Sequence, residues 1–121
     1  MAKKFTVNQW LDAVEHVESR GDLDAVGDGG KSIGPMQISL AYWKDARMTL
    51  GVYENCRGPM SHFYSRLVVL AYMLRYCPKD LAAGDWEVCS RIHNGGPRGA
   101  VKKATVKYAW DVNKAMQEKK L

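Results

Sequence analysis

The segment SRGDLDAVGDGGKSIGPMQI, Ser19–Ile38, sets the tightest limit on the fold, because five glycines and three aspartates fall within it. Glycine inside a helix costs ~1 kcal/mol relative to alanine, so no long helix crosses this stretch. Within it, AVGDGGKSIG carries β-formers on both sides of an Asp-Gly-Gly turn, the pattern of a tight hairpin. A linker would carry the glycines but would not need SIGPMQI behind them. A calcium loop would space its aspartates more strictly. One wall of a cleft accommodates both features.

The flanking segments are helical in pattern. TVNQWLDAVEHVESRG starts with a capping box, Thr6 with Gln9 three residues on, and Gly21 stops the run. Trp10, Leu11, Val14 and Val17 form its apolar stripe, and Glu18 continues the Leu11–Val14 line at the helix end. YWKDARMTLG reads as a short helix. SHFYSRLVVLAYMLRY is a stronger one, with Phe63, Leu67, Leu70 and Leu74 at helical spacing and Pro78 ending it. GDWEVCSRIHNGG is a compact helix closed by an Asn-Gly-Gly cap. Lys102–Lys120 reads as a basic amphipathic helix with Val106, Tyr108, Ala109, Val112 and Met116 inward. The expectation is a mainly helical α+β fold with one small β-hairpin beside a helical domain, in a single domain over residues 1–121.

Charge and cysteines narrow the function classes. The formal net charge is +5, which favours a polyanionic partner such as nucleic acid or bacterial cell wall. No stretch approaches the ~20 apolar residues of a membrane span. The start, MAKKFTVNQW, has a basic pair without an apolar core, unlike a secretory signal. Cys56, Cys77 and Cys89 match no common zinc spacing, so no metal or other cofactor is expected. Their odd number leaves at least one thiol unpaired. Reduced, buried thiols are expected, with a Cys77–Cys89 bridge as the alternative.

Glu18 is the first candidate for chemistry. A carboxylate at the edge of an apolar stripe is desolvated, which favours the protonated acid that can donate to a leaving oxygen. The alternative is a helix-end glutamate that turns to water. Asp28, in or beside the hairpin turn, is the second candidate; a polar turn keeps it ionised, and an acid facing a carboxylate is the pairing of glycoside hydrolysis. Its alternative is an ordinary turn aspartate. Asp22 and Asp24 read as exposed loop residues. Ser32, Gln37, His93 and Asn94 are polar groups next to glycines, where a backbone can approach a sugar closely. His93 could equally be a satisfied helix-end histidine and Asn94 a helix cap.

The blocks VES, SIGPMQI, AYWKDA, VVLAYMLRY and RIHNGGPRG, in that order, closely resemble the invertebrate-type (destabilase) lysozymes and their bacterial and phage relatives. The resemblance covers about Val14 to Val112. The skeleton Glu-Ser, Gly-x-Met-Gln, Asn-x-Gly-Pro is also similar to soluble lytic transglycosylases and goose-type lysozymes, all of the lysozyme fold. It implies that Glu18 is the general acid. The family's second carboxylate lies in the hairpin; a gapless register from Gly34 puts Gly27 there, and Asp28 is one residue away. His93, Asn94 and Gly95 match a segment along the sugar-binding cleft, and Gln37 and Tyr72 match positions that shape it. Secreted animal members are disulfide-dense, whereas only Cys56 falls near a family cysteine, which points to a reducing compartment and a bacterial or phage origin.

The resemblance thus implies an enzyme acting on peptidoglycan, an endo-β-1,4-N-acetylmuramidase, with Glu18 as acid and Asp28 as second carboxylate. The alternative chemistry is a lytic transglycosylase, which needs no second carboxylate. A non-catalytic wall-binding module is the alternative from another class. A monomer with no nucleic-acid partner is expected, made in the cytoplasm and reaching the wall as a released lysin or virion component.

Overall fold

The structure, a computed structural model, describes residues 5–118. Its contacts gather into two units, one formed by residues up to Val17 together with those from Tyr76 on, the other by Glu18–Arg75. Both boundaries fall inside helices, in α1 (Val7–Ser19) and α3 (Ser61–Tyr76). The class is the expected one, mainly helical α+β. Among the described residues no helix is long and apolar enough to cross a membrane.

In the first unit, α1 begins at the expected capping box: the Thr6 N–H donates to Gln9 Oε1 at 2.8 Å and the Gln9 N–H to Thr6 Oγ1 at 3.1 Å. Trp10, Leu11, Ala13 and Val14 are buried. Trp10 stacks on Trp86 with centroids 5.4 Å apart, and its indole N–H donates to Ser90 Oγ at 2.9 Å. Pro78 does more than stop α3: with its fixed φ and missing N–H it opens a further helix, α4 (Pro78–Ala83). Gly84, left-handed at φ 71°, closes α4, and the Asp85 carboxylate caps α5 (Trp86–Gly95) by accepting from the Val88 N–H at 3.2 Å. Gly96 ends α5, as the Asn-Gly-Gly signal predicts.

The last helix, α6 (Val106–Glu118), starts later than the sequence pattern suggests; the predicted end at Lys119–Lys120 lies outside the described residues. Residues 99–105 form two 3-10 turns instead. Thr105 is the reason: its buried hydroxyl lies 2.7 Å from the Gly99 carbonyl and 2.9 Å from that of Lys102, which holds the chain in tight turns. Ala109, Val112 and Met116 face in as expected, Tyr108 is half-buried and Val106 is exposed.

In the second unit the expected hairpin is present but extended by a strand. β1 (Val26–Gly27), β2 (Ser32–Ile33) and β3 (Ile38–Ser39) form an antiparallel sheet in that order, with Val26 opposite Ile33 and Ile33 opposite Ile38. The turn between β2 and β3 returns the chain through Gly34 and Gln37, both left-handed, with the Gln37 N–H donating to the Gly34 carbonyl at 3.1 Å. Ser39 then caps α2 (Leu40–Ala46), accepting from the Tyr42 N–H at 3.1 Å.

The apolar row at helical spacing is not the inward face of α3. Phe63, Leu67 and Leu74 are 72%, 53% and 61% exposed, and Leu70 is only half-buried. The buried face carries Ser61, Tyr64, Ser65, Val68, Val69, Tyr72 and Met73. Its two serines are satisfied locally: Ser65 Oγ donates to the Ser61 carbonyl at 2.6 Å, and Ser61 Oγ to that of Gly58 at 2.6 Å. Small hydroxyls paired to nearby carbonyls can be buried without an orphan donor. All three cysteines are free and buried, in agreement with the expectation of reduced thiols.

Candidate functional site

Glu18 occupies the last turn of α1, half-buried, with Ser19 as the final helical residue. Arg20 and Gly21 are left-handed, so the chain turns sharply after the carboxylate. Ser19 fixes that turn from both sides: its hydroxyl donates to the Pro35 carbonyl at 2.8 Å and accepts from the Gly21 N–H at 3.1 Å. The helix end carrying Glu18 is thereby tied to the β2–β3 turn.

SIGPMQI follows from this packing. Residues 32–36 are all buried, and Gly34 sits where a Cβ would collide with the Cys56 carbonyl. Gly34 also needs its positive φ of 77°, a conformation that glycine adopts without strain. Its N–H donates to the Ala25 carbonyl at 2.8 Å, which anchors β1 beside it.

Asp28 lies in the hairpin turn, exposed, with φ 51° in a run of left-handed residues with Gly29 and Gly30. Aspartate tolerates that region better than most side chains. The Ser32 hydroxyl donates to Asp28 Oδ2 at 2.9 Å, so a buried serine orients an exposed carboxylate. Gln37 folds back over the same corner. Its amide Nε2 donates to the Gly34 carbonyl at 3.0 Å, and a Cβ on Gly27 would run into its Oε1. The space a side chain at position 27 would need is thus filled by the Gln37 amide, and Asp28 is the next residue along the chain.

Asp22 and Asp24 are exposed loop residues; Asp22 Oδ1 accepts from the Asp24 N–H at 2.9 Å in a local turn. Tyr72 is buried on α3 and stacks on Tyr42, with centroids 3.8 Å apart and planes within 7°. Glu18, Asp28, Ser32, Gln37 and Tyr72 all belong to the unit Glu18–Arg75.

His93, Asn94 and Gly95 belong to the other unit, at the C-terminal turn of α5. His93 is buried with its ring 6.3 Å from that of Tyr108, while Asn94 is exposed. Gly95 accepts from Lys102 Nζ at 2.6 Å through its carbonyl. Arg91 ties the following turns down, its Nε donating to Thr105 Oγ1 and its Nη2 to the Lys102 carbonyl, both at 2.9 Å.

Sequence reasoning missed three of these positioning contacts. Ser19 was visible as part of Glu-Ser, and Tyr42 as part of AYWKDA, but their partners lie 16 and 30 residues away in the chain. The Arg91–Thr105 tie had no local signal. Among the described residues there is no group of three or more His, Cys, Asp or Glu side chains that could hold a metal ion.

No family model matches the chain. Lysozyme 1 of Crassostrea virginica is 38% identical over 77 residues, 64% of this chain and 41% of the oyster protein. The invertebrate-type lysozyme of Ruditapes philippinarum is 32% identical over 84 residues, 69% of this chain and 60% of its own length. The chain therefore spans less than two thirds of either relative. The crystal structure of an inhibitor-bound lysozyme from Meretrix lusoria superposes with a TM-score of 0.71 at 29% identity, covering 94% of this chain and 93% of that one.

Proposed function

Because this chain is a homologue of the invertebrate-type lysozymes and has a lysozyme-like α+β fold, we propose that it hydrolyses the β-1,4 link between N-acetylmuramic acid and N-acetylglucosamine in peptidoglycan. The observation that carries the reading is Glu18, a half-buried carboxyl at a helix end held by Ser19 against the β2–β3 turn. Glu18 protonates the glycosidic oxygen as the bond to the sugar breaks. Asp28, oriented by Ser32, stabilises the oxocarbenium ion or attacks its anomeric carbon. Within the Glu18–Arg75 unit, Ser32, Gln37 and Tyr72 are assigned to sugar binding, Gln37 and Tyr72 by holding the backbone in shape; in the other unit His93, Asn94 and Gly95 are assigned to it by the motif match alone. The positive net charge favours encounter with anionic wall polymers. Three free thiols support synthesis in a reducing compartment, followed by release to the wall.

A second reading rests on the corner around Gly27. If the exposed Asp28 takes no part, Glu18 alone remains, and the muramic 6-hydroxyl serves as nucleophile in a lytic transglycosylase. One experiment separates the readings: purified walls are digested, turbidity is followed and the products are analysed. Hydrolysis gives reducing ends, and transglycosylation gives 1,6-anhydro ends. Glu18→Gln should lower the rate by ~100-fold or more in either case. Asp28→Asn should lower it comparably only in the hydrolase, with Asp22→Asn and Asp24→Asn as mild controls. A Glu18→Gln protein that clears walls at the wild-type rate overturns both readings.

A further inference from the structure

The outer row of α3 has no part in the fold or in the chemistry assigned to Glu18 and Asp28. Met60 opens it, 64% exposed, one residue before the helix. Its carbonyl accepts from the Tyr64 N–H at 3.0 Å, so it continues the helical path. Phe63, Leu67, Leu70 and Leu74 follow, and all but the half-buried Leu70 are exposed. Successive members of the row stand three, four, three and four residues apart. That alternation is the seam by which one helix packs along another. Single exposed leucines are ordinary, but a five-residue seam is a contiguous apolar patch.

We propose that this row is a docking surface for a second copy of the chain, with the two α3 helices antiparallel about a two-fold axis. From Phe63 to Leu74 the intervals are four, three and four, the same in both directions. An antiparallel pair therefore sets Phe63 against Leu74 of the second copy and Leu67 against its Leu70, and symmetry repeats both contacts. Ala71 stands beside the seam and is small enough for helix axes ~8–10 Å apart. The five side chains offer roughly 100 Å² each, hence ~1,000 Å² over two copies, the lower bound for a specific interface. The seam lies wholly within the Glu18–Arg75 unit, which holds seven Lys and Arg against six Asp and Glu, a net of +1. A docking site for an anionic lipid surface would draw on a larger cationic surplus. α3 itself has no acidic residue, and Arg66 precedes Leu67 at the joint. Pairing thus brings like charges together, and salt that screens them strengthens it.

An interface of this size joins chains that are already folded, so the test is sedimentation equilibrium of the native full chain over about 1–300 μM. The average mass should rise with concentration from the monomer's 13.6 kDa toward twice that, and more readily in high salt. Leu67→Lys and Leu74→Ser should each hold the mass at the monomer value, with the melting temperature of dilute protein unchanged. Val106→Lys, on the exposed side of α6, should pair like wild type. In an equimolar mixture of Phe63→Cys and Leu74→Cys chains, mild oxidation at high concentration should link position 63 to position 74. A monomer throughout, a dimer that survives Leu67→Lys, a pair that salt dissolves, or links mainly between two positions 63 overturns the proposal. So does a monomer that binds phosphatidylglycerol vesicles through the same row, which would make it a lipid site.

Discussion

Gly34 is where a single hydrogen in place of a side chain decides the course of the backbone. Its positive φ and the Cys56 carbonyl over its Cα make any larger residue doubly unfavourable. Gly34→Ala should lower stability by at least about 2 kcal/mol, measured by thermal or urea melting, because left-handed strain and a backbone collision add. Gly29→Ala is the comparison: its φ is also positive, but a Cβ there meets nothing within 4 Å, so only the strain applies. Single residues were the most legible level of the sequence where their partners are close along the chain. Glu18 stood out because a carboxylate interrupted an apolar stripe, and Asp28 because of its turn. Tyr42 did not, since its stack on Tyr72 is made across 30 residues and leaves no periodic trace.

At the level of elements, the sequence was sound on existence and weaker on orientation. The capping box of α1 and the Asn-Gly-Gly end of α5 were legible because caps are local hydrogen-bond problems. The face of α3 was not. Phe63, Leu67 and Leu74 share the spacing of an inward stripe, yet the interior takes the row with Val68, Val69, Tyr72 and Met73, plus two serines satisfied by their own helix or loop. Hydrophobicity alone cannot separate two apolar rows on one helix; the paired hydroxyls decide it. Met73→Ala should therefore cost roughly 2–5 kcal/mol, as for a buried methionine that leaves a cavity. Leu67→Lys, on the open row, should change stability by less than about 0.5 kcal/mol. Urea denaturation of both variants checks the assignment, and a strongly destabilised Leu67→Lys would reverse it.

For the whole molecule, the placement of tryptophans gives the two units separate optical addresses. Of the four tryptophans in the chain, Trp10, Trp86 and Trp110 fall in one unit and Trp43 alone in the other. Trp43 donates its indole N–H to Tyr64 Oη at 2.9 Å, so its emission reports the packing around α3. Trp10 and Trp86 are buried and should emit toward the blue, whereas Trp110 is 58% exposed and open to an aqueous quencher. Replacing Trp43 by phenylalanine leaves a protein whose fluorescence follows only one unit, while tyrosine circular dichroism from the Tyr42–Tyr72 stack follows the other. Because the chain passes from unit to unit inside α1 and α3, without a linker, the two signals should melt with one midpoint. Two separated midpoints would reveal independent folding. Iodide should meanwhile remove a fixed fraction of the emission, that of Trp110, which turns one exposed side chain into a gauge of solvent access to α6.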